Sequence, residues 1–413
     1  MEKTTRLKYA CYMTNASMAV VANISPVLFI TFRELYNISY SGLGFLILVN
    51  FTTQLLVDLI FSFFSHKFNI EKTVKLTPVI SAFGLFAYSF LPLLFSGCEY
   101  VGILIGTLIF SASSGLCEVL VTPVVSAIPS ENSEREVSVL HSAYAWGVVG
   151  VVVISTLCLW GFGRDSWWII SAAFSLVPIT AALLFVKVDI PKIKTPKKAA
   201  GALKLLKNRG IWLSVIAIFL GGAAECTMSQ WSSGYIERSL GISKALGDVF
   251  GVAAFALMLG LGRTLYSRYG KFIERYLLIG AVGATVCYFT AAVVNIEIIG
   301  LIACALTGLF TSMLWPGNLI VASERFPEGG VFVYAILAAG GDLGASVAPQ
   351  LMGIVTDAVS ASSLGARLSE QLSLSPEQVG LKAGMLACAI FPILGIVMLF
   401  VTIRFFKRIK KQA

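Results

Sequence analysis

Long apolar runs separated by short polar segments dominate the chain from end to end. One membrane-spanning helix needs about 20 apolar residues. Runs of that length lie near twelve positions: 9–32, 41–65, 74–96, 99–127, 137–161, 167–187, 211–236, 246–267, 273–294, 297–321, 331–356 and 380–405. The pattern therefore predicts an all-α integral membrane protein with twelve transmembrane helices. The first run is too long for the apolar core of a cleaved signal peptide, so we expect it to be a retained membrane helix.

Composition supports the membrane interpretation. Of the 413 residues, 57% are apolar and only 13% are charged, and the mean hydropathy is +0.84. A soluble domain is about half apolar and about a quarter charged. These values exclude a disordered chain, a disulfide framework and an ordinary cytosolic protein, and they predict a surface that contacts the lipid bilayer.

The distribution of basic residues orients the predicted helices. Of the 31 Lys and Arg residues, 25 lie on one side of the membrane and 6 on the other. Because cytoplasmic loops carry the excess of Lys and Arg, we expect both termini in the cytoplasm, and we expect the membrane to be a bacterial inner membrane. The same loops account for the formal net charge of +9, so we expect no nucleic-acid partner.

Cysteine and histidine are too scattered for a metal or redox site. The eight Cys residues form no CxxC pair, and nearly all lie in apolar runs, which is typical of small packing residues. Two His residues cannot supply a His-based metal centre. The sequence shows no nucleophile–base pair either, so we expect no cofactor, no metal and no enzymatic activity.

A polar segment with two prolines and several lysines divides the chain. We predict an N-terminal six-helix half at 1–188, a cytoplasmic linker at 189–209 and a C-terminal six-helix half at 210–413. Three residues recur at a constant offset of 193: Pro123, Glu131 and Gly147 in the first half, and Pro316, Glu324 and Gly340 in the second. Two parallel six-helix repeats are an arrangement known among secondary transporters.

Two local signals predict details of the second half. Ser375 followed by Pro376 is typical of a helix N-cap with proline in the first turn. Gly340, Gly341 and Gly344 lie in one predicted helix, and small residues allow neighbouring membrane helices to approach closely.

Four carboxylates lie well inside the apolar runs: Asp58, Glu118, Glu225 and Asp342. A charge inside a bilayer is costly unless it is paired or hydrated, and we expect no membrane Lys or Arg to face these four groups at the same depth. Burial favours the protonated form of a carboxyl group, so we predict all four as proton-coupling candidates, with Glu118 first. The structural alternative is a carboxyl group hydrogen-bonded to a neighbouring helix for packing.

Other polar side chains recur at helical spacing around these carboxylates. Ser114, Glu118 and Thr122 share one face of the predicted fourth helix, and Glu225 and Ser229 share one face of the seventh. Amides and hydroxyls beside aromatic rings suit a polyhydroxylated ligand, because its hydroxyls need hydrogen-bond partners while its C–H face stacks on a ring. The predicted substrate-binding residues are Asn15, Asn23, Gln54, Ser114, Glu118, His141, Tyr144, Glu225, Gln230, Trp231, Trp315 and Asn318.

The whole chain resembles the major facilitator superfamily. The segment from Gly115 to Glu118, followed by Thr122-Pro123, resembles the fourth-helix signature of the fucose–galactose–glucose:proton symporters, where asparagine stands at the position of Thr122. The segments that resemble the first and seventh helices of such proteins are Asn23 to Pro26, and Gly222 to Glu225 with Trp231 and Tyr235.

Two departures separate the chain from that symporter branch. Its members carry an aspartate on the first helix that takes part in proton-coupled sugar transport, whereas this chain has no carboxylate there before Glu34. The loop after the second helix lacks the usual Gly-x-x-x-Asp-Arg-x-Gly pattern and has His66 and Lys67 instead. These differences indicate a divergent branch.

The resemblance implies a monomer whose two halves work by alternating access and carry a small polar solute, foremost a sugar, with a proton. It also implies cytoplasmic charge contacts that stabilise the outward-open state, formed by Glu131, Arg135, Arg263, Glu324 and Arg325. One alternative is proton-coupled efflux of a drug-like or other hydrophobic solute. An alternative of another class is a membrane sensor or assembly partner that transports nothing.

Overall fold

A computed structural model describes residues 3–64, 67–129, 133–191, 206–269, 271–326 and 330–412, and the secondary structure of these residues is entirely helical. The first helices are α1 (Lys3–Tyr36), α2 (Tyr40–Phe64), α3 (Ile70–Leu94), α4 (Glu99–Ala127), α5 (Ser133–Phe162), α6 (Trp167–Phe174) and α7 (Leu176–Phe185). The others are α8 (Arg209–Ser239), α9 (Lys244–Gly247), α10 (Ala254–Tyr269), α11 (Ile273–Val293), α12 (Glu297–Thr311), α13 (Pro316–Arg325), α14 (Gly330–Ser360), α15 (Ser363–Leu372), α16 (Pro376–Cys388) and α17 (Ile390–Gln412). A 3₁₀ turn (Arg164–Ser166) precedes α6, and a π-helix (Asp248–Ala253) joins α9 to α10.

Ten helical segments within the described ranges are long and apolar enough to cross a membrane. They match ten of the twelve predicted spans. The other two predicted spans, 137–161 and 331–356, fall on α5 and α14, which are helices of 30 and 31 residues. The helical membrane fold is confirmed, while the count of twelve stays a prediction.

Three of the predicted spans are built from two helices each. The breaks lie at Ser175 between α6 and α7, before Pro316 between α12 and α13, and at Ala389 between α16 and α17. A proline at the break or three residues beyond it accompanies each one, at Pro178, Pro316 and Pro392. Proline lacks the N–H that a continuous helix needs and collides with the preceding turn, which favours an interruption at these positions, although Pro26, Pro123 and Pro349 lie inside continuous helices.

Side-chain caps fix several helix starts. Asn69 accepts from the Lys72 N–H at the start of α3, and Ser375 accepts from the Gln378 N–H at the start of α16 at 3.1 Å. The Gln378 side chain accepts in return from the Ser375 N–H at 2.9 Å. This reciprocal capping box, with proline at the first turn, confirms the predicted helix start.

The chain divides into two compact units: residues 1–38 with 49–198, and residues 39–48 with 199–413. The first turns of α2 therefore belong to the second unit. Tyr40 and Ser41 there donate their backbone N–H groups to the Asp357 carboxylate of α14, at 3.1 and 2.6 Å. The Tyr40 hydroxyl donates to Glu377 at 2.6 Å, so two carboxylates of the second unit hold the start of α2.

In the first unit, α3 and α4 form a closely packed helix pair, and α1 packs against α4, α5 and α7. Gly84 faces the backbone of Phe110, and Gly106 faces the backbone of Tyr88. The aromatic core includes Trp167, which is buried and donates its indole N–H to the Tyr36 hydroxyl at 3.0 Å. Glycines at the contact let the two backbones approach closely, as is common between membrane helices.

In the second unit, α8 and α14 form a closely packed helix pair. Gly344 faces the backbone of Phe219, and Gly340 faces Val215 and Ile218. The predicted role of these glycines in close helix approach is confirmed. The π-helix also lies in this unit, where Asp248 is fully buried.

Replacing Gly106 with alanine tests the α3–α4 contact. The added Cβ would lie within 3.0 Å of the Tyr88 backbone, so we expect overpacking to lower the free energy of unfolding by about 1–3 kcal/mol. Gly150→Ala in α5 is the matched control, because nothing lies within 4 Å of its added Cβ. Thermal unfolding of the purified proteins in detergent measures the difference. Equal melting temperatures for the two variants would contradict the packing described here.

Candidate functional site

A polar cluster in the first unit centres on Glu118 of α4. The Gln54 side chain of α2 donates to the Glu118 carboxylate, with 2.6 Å between Nε2 and Oε2. Gln54 is 5% exposed and Ser114 is 1% exposed, whereas Glu118 keeps exposed surface. The cluster thus holds a carboxylate that is anchored on one side and accessible on the other.

A glycine in α4 brings the second carboxylate close. A Cβ added at Gly115 would lie 2.8 Å from the Gln54 carbonyl oxygen and 3.0 Å from the Asp58 carboxylate. The bare backbone of Gly115 therefore leaves the room in which α2 approaches α4. Asp58 is 8% exposed. The structure brings three residues that the sequence named separately, Asp58, Gln54 and Glu118, into one cluster, and Glu118 is the most exposed of them.

Asn50 extends the polar cluster around Glu118 and was not among the site residues predicted from the sequence. The Ser111 hydroxyl donates to its side-chain oxygen at 2.6 Å, and Asn50 is 6% exposed. Asn50, Gln54 and Asp58 are spaced four residues apart, which places them on one face of α2. That periodicity was visible in the sequence and is the signal that identifies Asn50.

The predicted polar residues of α1 are bonded within the first unit. Asn15 donates to the Leu140 carbonyl at 2.7 Å and accepts from the Cys117 thiol at 3.8 Å. Asn23 donates to the Ala19 carbonyl of its own helix at 2.9 Å. Asn15 therefore joins α1 to α4 and α5, and the predicted contacts of these two amides with a substrate stay predictions.

Several sequence predictions fall outside what the structure describes. Glu131 lies outside the described ranges, and the side chains of Arg135 and His141 are not among those described. Tyr144 is partly buried in α5. The predicted roles of all four residues stay predictions.

A charged contact near the start of α5 involves a residue that was not predicted. Glu136 accepts hydrogen bonds from Lys8 at 2.6 Å and from the Tyr12 hydroxyl at 2.5 Å. All three side chains lie in the first unit and join α1 to α5. The sequence gives only a weak signal for this contact, because Glu136 lies among other charged residues of a polar loop.

In the second unit, Glu225 of α8 pairs with Arg263 of α10. The distance between Oε1 and Nη2 is 3.2 Å. The expectation that no basic residue faces the membrane carboxylates is therefore wrong for Glu225. The long guanidinium side chain, which the sequence assigned to the cytoplasmic end of its helix, reaches a carboxylate assigned to the middle of α8.

Arg325 also has a definite partner. It donates to Glu274 of α11 at 2.6 Å, and its guanidinium lies 4.2 Å from the centre of the Phe406 ring. Glu324 is exposed. The predicted gating role of Glu324 and Arg325 stays a prediction, and the structure adds Glu274 as the carboxylate that holds Arg325.

The aromatic and amide candidates of the second unit lie mainly in its interior. Trp231 is 1% exposed and donates its indole N–H to the Pro349 carbonyl at 3.0 Å. Trp315 packs against glycines of α8 and α14, and Asn318 donates to the Leu314 carbonyl at 2.6 Å. These contacts favour packing roles, which the sequence left open as the alternative.

Two further buried polar groups complete the second unit. Gln230 is 5% exposed, and Asp342 is 2% exposed. The side-chain oxygen of Gln230 has no hydrogen-bond partner among the described residues. Gln230 therefore keeps an acceptor that a bound hydroxyl group could use.

A buried ion pair beside the π-helix was not predicted. Lys244 lies 3.0 Å from the Asp248 carboxylate and 3.2 Å from the Ser233 hydroxyl, and Ser233 donates a short hydrogen bond to Asp248. Pairing compensates the cost of burying the charge. Asp248 lies near the start of the predicted span 246–267, and the sequence analysis did not single it out.

Comparison with known proteins identifies the family to which this chain belongs. The model of the Major Facilitator Superfamily matches residues 10–349. No curated protein sequence matches the chain significantly.

Solved structures of low sequence identity share the fold. A bacterial homolog of the human lysosomal transporter Spinster, in an inward-facing and unoccupied conformation, has a TM-score of 0.78 at 13% identity over 99% of this chain and 98% of the other. A D-xylose–proton symporter gives 0.69 at 16% identity over 94% and 96%. The E. coli fucose:proton symporter gives 0.58 at 17% identity over 98% and 99%. The family model covers most of this chain, and the chain therefore belongs to the Major Facilitator Superfamily.

Proposed function

We propose that this protein is a secondary active transporter that takes up a small polar solute, foremost a sugar, together with a proton by alternating access. The observation that carries this proposal is Glu118, a membrane carboxylate that keeps exposed surface and is hydrogen-bonded to Gln54 at 2.6 Å. A carboxylate inside a span is costly and is typical of ion or proton pathways. Membership of a transporter family supports the proposal.

Glu118 is the proposed proton-coupling group, with Glu225, Asp342 and Asp58 as alternates. Uptake of a proton removes the charge that a bilayer disfavours, so the loaded site can change its exposure at a lower electrostatic cost. The Gln54 amide fixes the orientation of the carboxylate, since its N–H donor can bond either protonation state of the acceptor.

The proposed solute class follows from the polar side chains of the first unit. Gln54 bonds Glu118 directly, and Asn50, on the same face of α2, bonds Ser111 of α4. Amide groups can bond the hydroxyl groups of a sugar. Two of the structurally similar proteins are sugar–proton symporters. At 16% and 17% identity their likeness concerns the fold, so the sugar assignment rests on the polar residues.

We further propose twelve membrane spans with both termini in the cytoplasm. The 25 to 6 distribution of Lys and Arg supports this orientation. The proposed location is the inner membrane of a bacterium, and the proposed functional form is a monomer.

Accessibility of Glu118 can be tested with a thiol reagent. We expect Glu118→Cys to react with a water-soluble thiol reagent at least about tenfold faster than Ser114→Cys, because reaction needs access to the thiolate and Ser114 is 1% exposed. Both positions lie one turn apart in α4. Peptide mass spectrometry separates their labelling from that of the native Cys residues. Equal protection of the two positions would rule out an open Glu118 site.

The coupling role of Glu118 can be tested in proteoliposomes. Glu118→Gln keeps the size and hydrogen bonding of the side chain but cannot carry a proton. We expect uptake driven by a pH gradient to fall at least about tenfold, while exchange counterflow stays within about twofold of the wild type.

Glu99→Gln is the matched control, because Glu99 begins the same helix and is partly exposed there. We expect this variant to accumulate the solute as the wild type does. Undiminished accumulation by Glu118→Gln would remove Glu118 from the coupling mechanism.

A further inference from the structure

The contact between Glu225 and Arg263 leaves much of the guanidinium unused. A single contact of 3.2 Å joins Glu225 Oε1 to Arg263 Nη2, and the Arg263 side chain is 48% exposed. Arg263 Nε donates to the Ser312 carbonyl at 3.2 Å. Within the described residues, Nη1 makes no hydrogen bond. One face of this guanidinium therefore stays available to a ligand.

The partner carboxylate is equally incomplete. Glu225 is 13% exposed, and its second oxygen, Oε2, is buried without a hydrogen-bond partner among the described residues. A guanidinium can hold a carboxylate through two parallel N–H bonds, but this pair makes only one. The Glu225–Arg263 pair therefore forms one of the two parallel hydrogen bonds that such a pair can form.

A second Arg–Glu pair in the same unit shows the contrast. Arg325 meets Glu274 at 2.6 Å and is 20% exposed, with the Phe406 ring 4.2 Å from its guanidinium carbon. That arginine is closed in by a carboxylate and an aromatic ring. The distance from Arg263 to its carboxylate is longer, at 3.2 Å, and the Arg263 side chain is more than twice as exposed as that of Arg325. Of the two arginines, Arg263 is therefore the one that a solute can reach.

We propose that Arg263 is an anion-binding residue and that the transported solute carries a carboxylate that replaces Glu225 on the guanidinium. This inference rests on the proposed transport function and names the substrate class: a small hydroxylated carboxylate. The carboxylate binds Nη1 and Nη2 together, and the polar side chains contact its hydroxyl groups. A solute carboxylate fits better than a phosphate, because the group it replaces is itself a carboxylate with one negative charge.

The exchange has a defined proton balance. When the solute occupies Arg263, Glu225 loses its counter-charge inside the membrane. Glu225 then takes one proton from solution, because an unpaired charge at that depth is costly. One anion and one proton are bound together, so the charge of the site does not change, and binding tightens as the pH falls.

The groups that face Glu225 are consistent with this balance. Arg263 of α10 is the charged group in contact with Glu225, and Cys226 follows Glu225 in α8. Tyr288 of α11 donates to the Ala224 carbonyl at 2.7 Å. Thiols and phenols are uncharged near neutral pH, so Arg263 supplies the charge that faces Glu225.

Binding to the purified full-length protein tests the proposal. The probes are galacturonate, gluconate and lactate, their neutral counterparts galactose, sorbitol and propane-1,2-diol, and glucose 6-phosphate. These carboxylates stay ionised between about pH 5.5 and 8. We expect at least one carboxylate to bind the wild type at least about tenfold more tightly than its neutral counterpart and than the phosphate. Its affinity should fall by up to about tenfold per pH unit as the pH rises, since one proton is consumed.

Variants separate the ion-pair exchange from general effects. Arg263→Gln should lose the preference for the carboxylate, and the double variant Glu225→Gln/Arg263→Gln should lose it without leaving a buried charge. Glu225→Gln alone should keep the preference and lose the pH dependence. Arg268→Gln is the matched control, because Arg268 is exposed on the same helix and lies over the Tyr269 ring; it should bind as the wild type does.

Three results would overturn the proposal: binding of neutral sugars that Arg263→Gln leaves unchanged, preference for the phosphate, or no binding of any carboxylate. Unchanged binding of neutral sugars by Arg263→Gln would overturn the carboxylate proposal but would not contradict the proposed sugar transport. Failure of the Glu118→Gln prediction would instead affect proton coupling and leave the Arg263 binding data intact. The two proposals therefore fail separately.

Discussion

A bilayer offers no water to polar groups, so each one must find a partner inside the protein or lie where water reaches it. Most polar side chains of the described helices meet this condition locally. The Thr107 hydroxyl donates to the Ile103 carbonyl one turn earlier, and Thr227 donates to Ala223 in the same way. Trp231 donates to the Pro349 carbonyl. These residues are satisfied within the fold and serve packing.

The same constraint singles out the groups that have spare capacity. Glu118 is bonded on one side and open on the other, and Arg263 is half exposed beside a carboxylate that uses one of its oxygens. Such groups are costly in a membrane unless a solute, a proton or water completes them. Each unit therefore contains a carboxylate site with unused bonding capacity, at Glu118 and at Glu225. The proposed transport function assigns the coupled proton to Glu118, and the further proposal assigns a solute anion with its own proton to the Glu225–Arg263 pair.

Residue spacing explains what the sequence could predict. Asn50, Gln54 and Asp58 share a helical period, so one face of α2 was readable, and Ser375 with Gln378 forms its capping box within four residues. The Glu225–Arg263 pair could not be predicted from the sequence, because the depth of a guanidinium in the membrane depends on how its long side chain bends. Whether Asn23 faces a cavity or its own helix likewise depends on a rotamer. Packing between helices decides both outcomes, and the order of residues along one helix does not.

The most direct test of the account measures protons and solute together. Wild-type protein in proteoliposomes is given a downhill gradient of galactose or galacturonate in a weakly buffered medium, and the external pH is followed. The account predicts that at least one solute makes the external medium more alkaline as it enters, and that a protonophore abolishes the change. Entry of solute without any movement of protons would contradict it.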